Sequence, residues 1–101
     1  MTRFRLTPLA ERDLEEIVDT ISERSSPDRA HAVLREILAA AERLAGMPGM
    51  GHARADLTDE PVLFWSLYRY LIVYRPETRP LELLRVLHGR QDVEAKLRGS
   101  R

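Results

Sequence analysis

The spacing of apolar residues changes once along this chain of 101 residues, and that change constrains the fold more than any other feature. From Pro8 to Ala45 the apolar residues recur at helical spacing, in two stripes separated by the sequence Ser-Ser-Pro-Asp. After a segment rich in glycine and proline, Met47–Gly51, they occur in short runs that are typical of strands. The pattern therefore predicts two helices followed by a sheet.

The expected elements begin and end at clear signals. Thr7 and Ser26 each precede a proline, which is the pattern of an N-cap followed by proline at the first helical position. We expect a strand at 3–6, a helix at 8–23, a second helix between Ser26 and Gly46, strands at Val62–Leu67, Arg69–Arg75 and Leu81–His88, and a short helix at Asp92–Arg98 capped by Asp92. This β-α-α-β-β-β order predicts one α+β domain over 1–101, with a helical hairpin packed on one face of a mainly antiparallel sheet.

The two last strand runs are apolar on both faces. Strand alternation opposes Tyr70, Ile72 and Tyr74 to Leu71 and Val73, and Leu84 and Val86 to Leu83 and Leu87. Two helices in one layer cover one face of a sheet, so the second face needs the chain's own tail, a second protomer or another protein. We interpret the second face as a partner site, because exposed apolar patches mark interaction surfaces.

Composition excludes several classes of function. Lys and Arg total 16 and Asp and Glu total 16, so a formal net charge of zero argues against binding nucleic acid by bulk charge alone. The absence of cysteine excludes disulfides, thiolate metal sites and thiol catalysis. No apolar run reaches the roughly 18 residues of a membrane span, and the first residues show no signal peptide, so we expect a cytoplasmic protein.

The densest polar cluster is His88-Gly89-Arg90-Gln91-Asp92. One interpretation places Arg85, His88 and Arg90 around an anionic group, such as an RNA phosphate or a partner's carboxylate. The other gives the cluster a structural role, in which Gly89 supplies a permissive backbone angle and Arg90 pairs with Asp92. His31 and His52 lack companions at ligand spacing, and no phosphate-binding loop or nucleophile elbow is present, so we expect no metal and no cofactor.

Several blocks of the sequence resemble ParE toxins of the RelE/ParE superfamily. In family order they are RLTPLAERDLEEI (Arg5–Ile17), MPGMG (Met47–Gly51), RADL (Arg54–Leu57), YLIVYRP (Tyr70–Pro76) and RVLHGRQD (Arg85–Asp92). The resemblance implies the toxic component of a type II toxin–antitoxin pair, belonging to a higher-order complex. Its antitoxin would wrap the toxin with a C-terminal segment and carry the DNA-binding activity.

The resemblance leaves the target of the toxin open. ParE-like members inhibit DNA gyrase, whereas RelE-like members cleave mRNA on the ribosome with a cluster of basic residues. Gyrase inhibition is our leading hypothesis, because RNA cleavage needs a base and an acid, and His88 is the one candidate in this chain. An endonuclease would use Arg75, Arg85, His88 and Arg90. A third alternative is a non-toxic binding module kept for complex formation.

We also predict which residues contact the two partners. The antitoxin should bury Leu71 and Val73, while its acidic residues meet Arg69, Arg75 and Arg85. Changing Arg85 to Glu should then weaken the complex several-fold or more. Arg90 and Arg98 are the expected contacts to the target.

Overall fold

The computed structural model describes residues 3–89 and 93–98, and its elements follow the expected order. They are β1 (Phe4–Leu6), α1 (Pro8–Arg24), α2 (Pro27–Gly46), a 3-10 turn (Pro48–Met50), β2 (Leu63–Leu67), β3 (Tyr70–Arg75), β4 (Leu81–His88) and α3 (Val93–Arg98). The expected α+β class is confirmed. β2 and β3 each begin one residue later than expected, and Asp92, the expected cap of α3, lies outside the described residues.

Both predicted helix caps are confirmed. The Thr7 hydroxyl accepts a hydrogen bond from the Ala10 amide at 3.1 Å, and the Ser26 hydroxyl accepts one from the Arg29 amide at 3.1 Å. Each cap satisfies one of the amides that the first turn of a helix leaves without an intrahelical acceptor.

The four strands form one sheet in the order β1-β4-β3-β2. β1 runs parallel to β4, and the β2–β3 and β3–β4 pairs are antiparallel. The register sets Tyr70 opposite His88 at one end of the β3–β4 pair and Arg75 opposite Glu82 at the other. The β2–β3 turn and the end of β4 therefore lie at the same end of the sheet.

The outer edge of β4 extends past the short strand β1, and α1 supplies the missing hydrogen bonds. The Thr7 amide donates to the Leu83 carbonyl at 3.1 Å, and the Thr7 hydroxyl donates to the Leu84 carbonyl at 2.8 Å. Further along, the Val86 amide donates to the Asp13 carboxylate at 3.0 Å. Side chains of the helix N-cap and of α1 thus complete an edge that would otherwise leave polar backbone groups unpaired.

The sheet carries a core on each face. The helix-side cluster includes Tyr70, Ile72, Tyr74, Leu83 and Val86 under α1 and α2. The second cluster comprises Val62, Phe64, Val73, Leu87 and Leu97, with Leu57, Leu71, Leu84 and Val93 packed against it. The predicted opposition of Leu71 and Val73 to their neighbours in β3 is confirmed.

The predicted phase of β4 is wrong. Val73 pairs with Arg85 but Tyr74 pairs with Leu83, so Leu84 is an extra residue at a bulge. The bulge reverses the alternation, which places Leu83 with Val86 on the helix side and Leu84 with Leu87 on the second face. A two-residue period read from the sequence does not detect such an insertion.

The apolar centre of the second face is covered by the chain itself, in contrast to its interpretation as a partner surface. Val93 and Leu97 of α3 and Leu57 of the preceding loop pack over it, and Val73 and Leu87 have no exposed surface. The tail, which was one of the three expected coverings, thus covers part of this face. A partner would meet the Val73 side chain only by displacing α3.

Tyr74 fixes the loop after α2 against the sheet. Its side chain is fully buried, and its hydroxyl donates to the Pro48 carbonyl at 2.6 Å and accepts from the Gly51 amide at 2.9 Å. Burial raises the pKa of Tyr74 because the phenolate would lose its hydration. Gly51 is required here, since a Cβ at this position would lie 2.5 Å from the Tyr74 hydroxyl.

Candidate functional site

A cleft of about 850 Å³ lies between the helical hairpin and the end of the sheet that carries His88. Half-buried Ile17, Ile21 and Val33 give it an apolar floor. Its charged lining residues come from both sides: Asp13, Glu16, Arg24, Arg29 and Glu36 from the helices and Arg69 from the β2–β3 turn. An apolar floor with charges of both signs around it suits an amphipathic peptide better than a small polar ligand.

The sheet end of the cleft is built from paired residues of β3 and β4. The rings of Tyr70 and His88 meet edge to face, with centroids 5.8 Å apart. Beyond them the Gly89 amide donates to the Arg69 carbonyl at 2.7 Å. Gly89 does not adopt a positive φ, contrary to the role expected for it. A Cβ at this position would lie 3.2 Å from the Arg69 carbonyl, so the close approach of the two backbone segments favours glycine here.

Arg85 is buried against a carboxylate of its own chain, in contrast to the two roles expected for it, toward the antitoxin and toward an external anion. Its Nε and Nη2 donate to the two oxygens of Asp13 at 2.7 and 2.8 Å, and its Nη1 donates to the Lys96 carbonyl at 3.1 Å. Both side chains are more than nine-tenths buried. The hydrogen bonds to Asp13 raise the pKa of Arg85 further, so the guanidinium stays charged and joins α1, β4 and α3.

Arg75 and His88 lie at opposite ends of the β3–β4 pair, so the structure does not bring the predicted nuclease residues together. Arg75 donates to Glu82 at 3.2 Å, and Glu82 also pairs with Arg5 across β4. Glu82 and His88 are six residues apart on one strand, roughly 20 Å. Arg90, the fourth member of the set, lies outside the described residues.

The remaining predicted contacts occupy two regions. Arg69 is exposed in the β2–β3 turn and lines the cleft, while Leu71 is half-buried against the second cluster. Arg98 is exposed on α3 and pairs with Glu94 at 3.0 Å. Their roles toward antitoxin and target stay predictions.

Sequence reasoning missed the role of Asp13. Asp13 lies three residues after Ala10 and four before Ile17, so it occupies the inner face of α1, and an acid at such a position signals a buried partner. Tyr68 lies in the β2–β3 turn, where its side chain is 78% exposed and its φ is 56°.

The described residues show neither a metal-binding cluster nor a membrane-spanning helix. Over 3–89 and 93–98, no group of three or more histidines and carboxylates is arranged to hold a metal ion. Within the same ranges, no helix has the length and apolar character that crossing a membrane requires.

Comparison with known proteins agrees with this architecture. A model of the family described as "ParE toxin of type II toxin-antitoxin system, parDE" matches residues 4–93. The protein called Toxin ParE1 in two strains of Mycobacterium tuberculosis, CDC 1551 / Oshkosh and ATCC 25618 / H37Rv, is 34% identical over 97 residues, covering 95% of this chain and 98% of the relative.

A solved structure shows the same fold at lower sequence identity. A chain described as the chromosomal ParDE TA system from P. aeruginosa superposes with a TM-score of 0.70 at 20% identity, covering 84% of this chain and 92% of that one. The family match spans nearly all the described elements, from β1 to the start of α3. This chain therefore belongs to the ParE toxin family of type II toxin–antitoxin systems.

Proposed function

We propose that this protein inhibits DNA gyrase in the cytoplasm and is neutralised by direct binding of a cognate antitoxin. Membership of the ParE family supports the toxin role. The observation that favours gyrase over RNA as the target is the disposition of the basic residues: Arg75 and Arg85 are paired with Glu82 and Asp13 rather than arranged around His88.

RNA cleavage would need those groups in one place. A base must take the 2′-hydroxyl proton, cations must stabilise the phosphorane and an acid must protonate the leaving oxygen, all within hydrogen-bond reach of the phosphate. Arg85 is more than nine-tenths buried and Arg75 lies some 20 Å along the sheet from His88. Inhibition of an enzyme by binding it makes no such demand.

The cleft is the proposed binding site for the antitoxin's C-terminal segment. Its apolar floor would bury the apolar side of an amphipathic segment, and Arg24, Arg29 and Arg69 would meet the acidic side chains. Arg69 and Leu71 remain among the predicted antitoxin contacts, with Arg75 at the far end of β3. Arg85 contributes by holding α1 to the sheet rather than by touching the antitoxin.

A supercoiling assay tests the target. Purified protein should inhibit supercoiling by gyrase, and an equimolar amount of the purified product of the adjacent reading frame should restore it. Size-exclusion chromatography with light scattering would report the mass of the toxin–antitoxin complex, expected to exceed a 1:1 pair. Unaffected gyrase together with cleavage of ribosome-bound mRNA would refute the proposed target.

A pair of histidine variants tests the nuclease alternative, which the position of His88 in the cleft keeps open. If His88 were the catalytic base, His88→Ala would abolish toxicity while the fold persisted. His31→Ala is the matched control, because His31 is exposed on α2 and lines neither side of the cleft. Under the gyrase proposal both variants stay toxic, whereas absence of growth arrest by the wild type would favour a non-toxic binding module.

A further inference from the structure

The β2–β3 turn, Tyr68–Arg69, places a tyrosine where the backbone conformation does not suit one. Leu67 pairs with Tyr70, so two residues make the whole turn. Tight two-residue turns need a positive φ and usually place glycine, asparagine or aspartate there. Tyr68 has φ 56°, a left-handed conformation that disfavours a bulky side chain.

No packing within the described residues compensates for this strain. Tyr68 is 78% exposed, and Met47 is the other large hydrophobic side chain with comparable exposure, at 64%. Met47 is the C-cap of α2 and lines neither the cleft nor the hollow described next. Strain held at an exposed aromatic residue is a mark of a binding position rather than of a folding requirement.

The turn separates the cleft from a second hollow on the other face of the sheet. That hollow has a volume of about 280 Å³, and both cavities are lined by Tyr68, Arg69 and Tyr70. Among the described residues that line the hollow, the charged side chains are Arg54 and Arg69, and Arg54 already donates to both oxygens of the Asp56 carboxylate, at 3.0 and 2.8 Å. The Arg69 carbonyl is bonded to the Gly89 amide at 2.7 Å, which anchors the turn to the end of β4.

We propose that the Tyr68–Arg69 turn is the main anchor for the antitoxin, which crosses it from the cleft into the hollow. The inference rests on the proposed antitoxin binding and adds where the segment leaves the cleft. An apolar side chain of the antitoxin packs on the Tyr68 ring, and an adjacent aspartate or glutamate meets Arg69. Tyrosine and arginine carry a large share of binding energy at protein interfaces, and a ring held by a tight turn loses little entropy on binding.

The test compares Tyr68→Gly and Tyr68→Asn with Met47→Ala as the matched control. The probe is the purified antitoxin from the adjacent reading frame, titrated by calorimetry against each variant. Glycine and asparagine tolerate the backbone of the turn, so both variants should melt within about 3 °C of wild type. Their affinity should fall at least about thirtyfold, while Met47→Ala and Tyr68→Phe should bind within about threefold of wild type.

Three results would overturn the inference. Wild-type affinity in Tyr68→Gly would show that the ring is no anchor, and a large drop in melting temperature in both variants would make Tyr68 a structural residue. Loss of gyrase inhibition with full antitoxin affinity would assign the turn to the target instead. Failure of the wild-type protein to bind the antitoxin is a separate outcome, because it refutes the proposed function together with this inference.

Discussion

The buried pair of Asp13 and Arg85 gives the sharpest prediction about this fold. The Asp13 carboxylate accepts three hydrogen bonds, two from Arg85 at 2.7 and 2.8 Å and one from the Val86 amide at 3.0 Å. Asp13→Ala would deprive the buried guanidinium of the Asp13 carboxylate and leave the Val86 amide without its acceptor. Breaking a buried pair in this way costs about 3–5 kcal/mol, a large share of the roughly 5–15 kcal/mol that stabilises a small domain.

Thermal and urea unfolding followed by circular dichroism would measure this loss. For a domain near 100 residues, a cost of 4 kcal/mol lowers the melting temperature by roughly 15–30 °C. The double variant Asp13→Leu with Arg85→Met should recover at least about 2 kcal/mol of it, because a matched apolar pair avoids the buried unpaired charge. The exposed pair of Glu94 and Arg98 is the control, since Glu94→Ala should leave the melting temperature within error.

The same pair changes the meaning of the Arg85→Glu experiment. That substitution would set two buried carboxylates against each other, so loss of antitoxin binding would accompany loss of folding. A melting temperature for Asp13→Ala within about 5 °C of wild type would refute this reasoning, because it would mean that the pair is solvated or dispensable.

The remaining predictions concern the loop after α2 and the helix caps. Tyr74→Phe removes two hydrogen bonds of 2.6 and 2.9 Å and should cost about 1–3 kcal/mol in urea unfolding. Burial raises the pKa of Tyr74 in the folded state, so the unfolded chain loses the phenol proton at a lower pH. The stability of the wild-type protein should therefore fall as pH rises past about 10, and Tyr74→Phe should lack that part of the fall. Gly51→Ala would place a Cβ 2.5 Å from the Tyr74 hydroxyl and should cost about 1–3 kcal/mol of stability. Gly49→Ala meets nothing within 4 Å and should cost none. Equal losses of stability in the two variants would contradict the packing around Gly51. Thr7→Ala should cost more than the roughly 1 kcal/mol expected for Ser26→Ala, because the Thr7 hydroxyl also donates to a β4 carbonyl at 2.8 Å, and a smaller loss at Thr7 would refute that second role.

Much of the architecture could be predicted from local patterns. α1 and α2 each begin where a hydroxyl residue precedes proline, and both caps form as expected. β4 has the predicted bounds, and the two faces of β3 follow its alternation. These features depend on residues within a few positions of each other, which is the range over which spacing and propensity act.

The candidate site could be predicted less well, because its residues meet across long stretches of sequence. The pair of Asp13 and Arg85 joins positions 72 residues apart, so Arg85, which was expected to contact a partner, is a buried structural residue. The position of His88 beside the helical hairpin depends on the strand order β1-β4-β3-β2, which periodicity does not contain. Asp13, an acid at an inner position of α1, was a usable signal of a buried pair, but the many other acidic residues of the same segment made it hard to distinguish.

The sequence by itself determined the element order, the helix caps, the apolar faces of β3 and the family. Tertiary structure alone decided which covering the second face received, where the bulge reversed β4, and which arginines stayed exposed. The physical reason is that backbone preference and periodicity are local, whereas burial and ion pairing depend on which distant segments the sheet brings together.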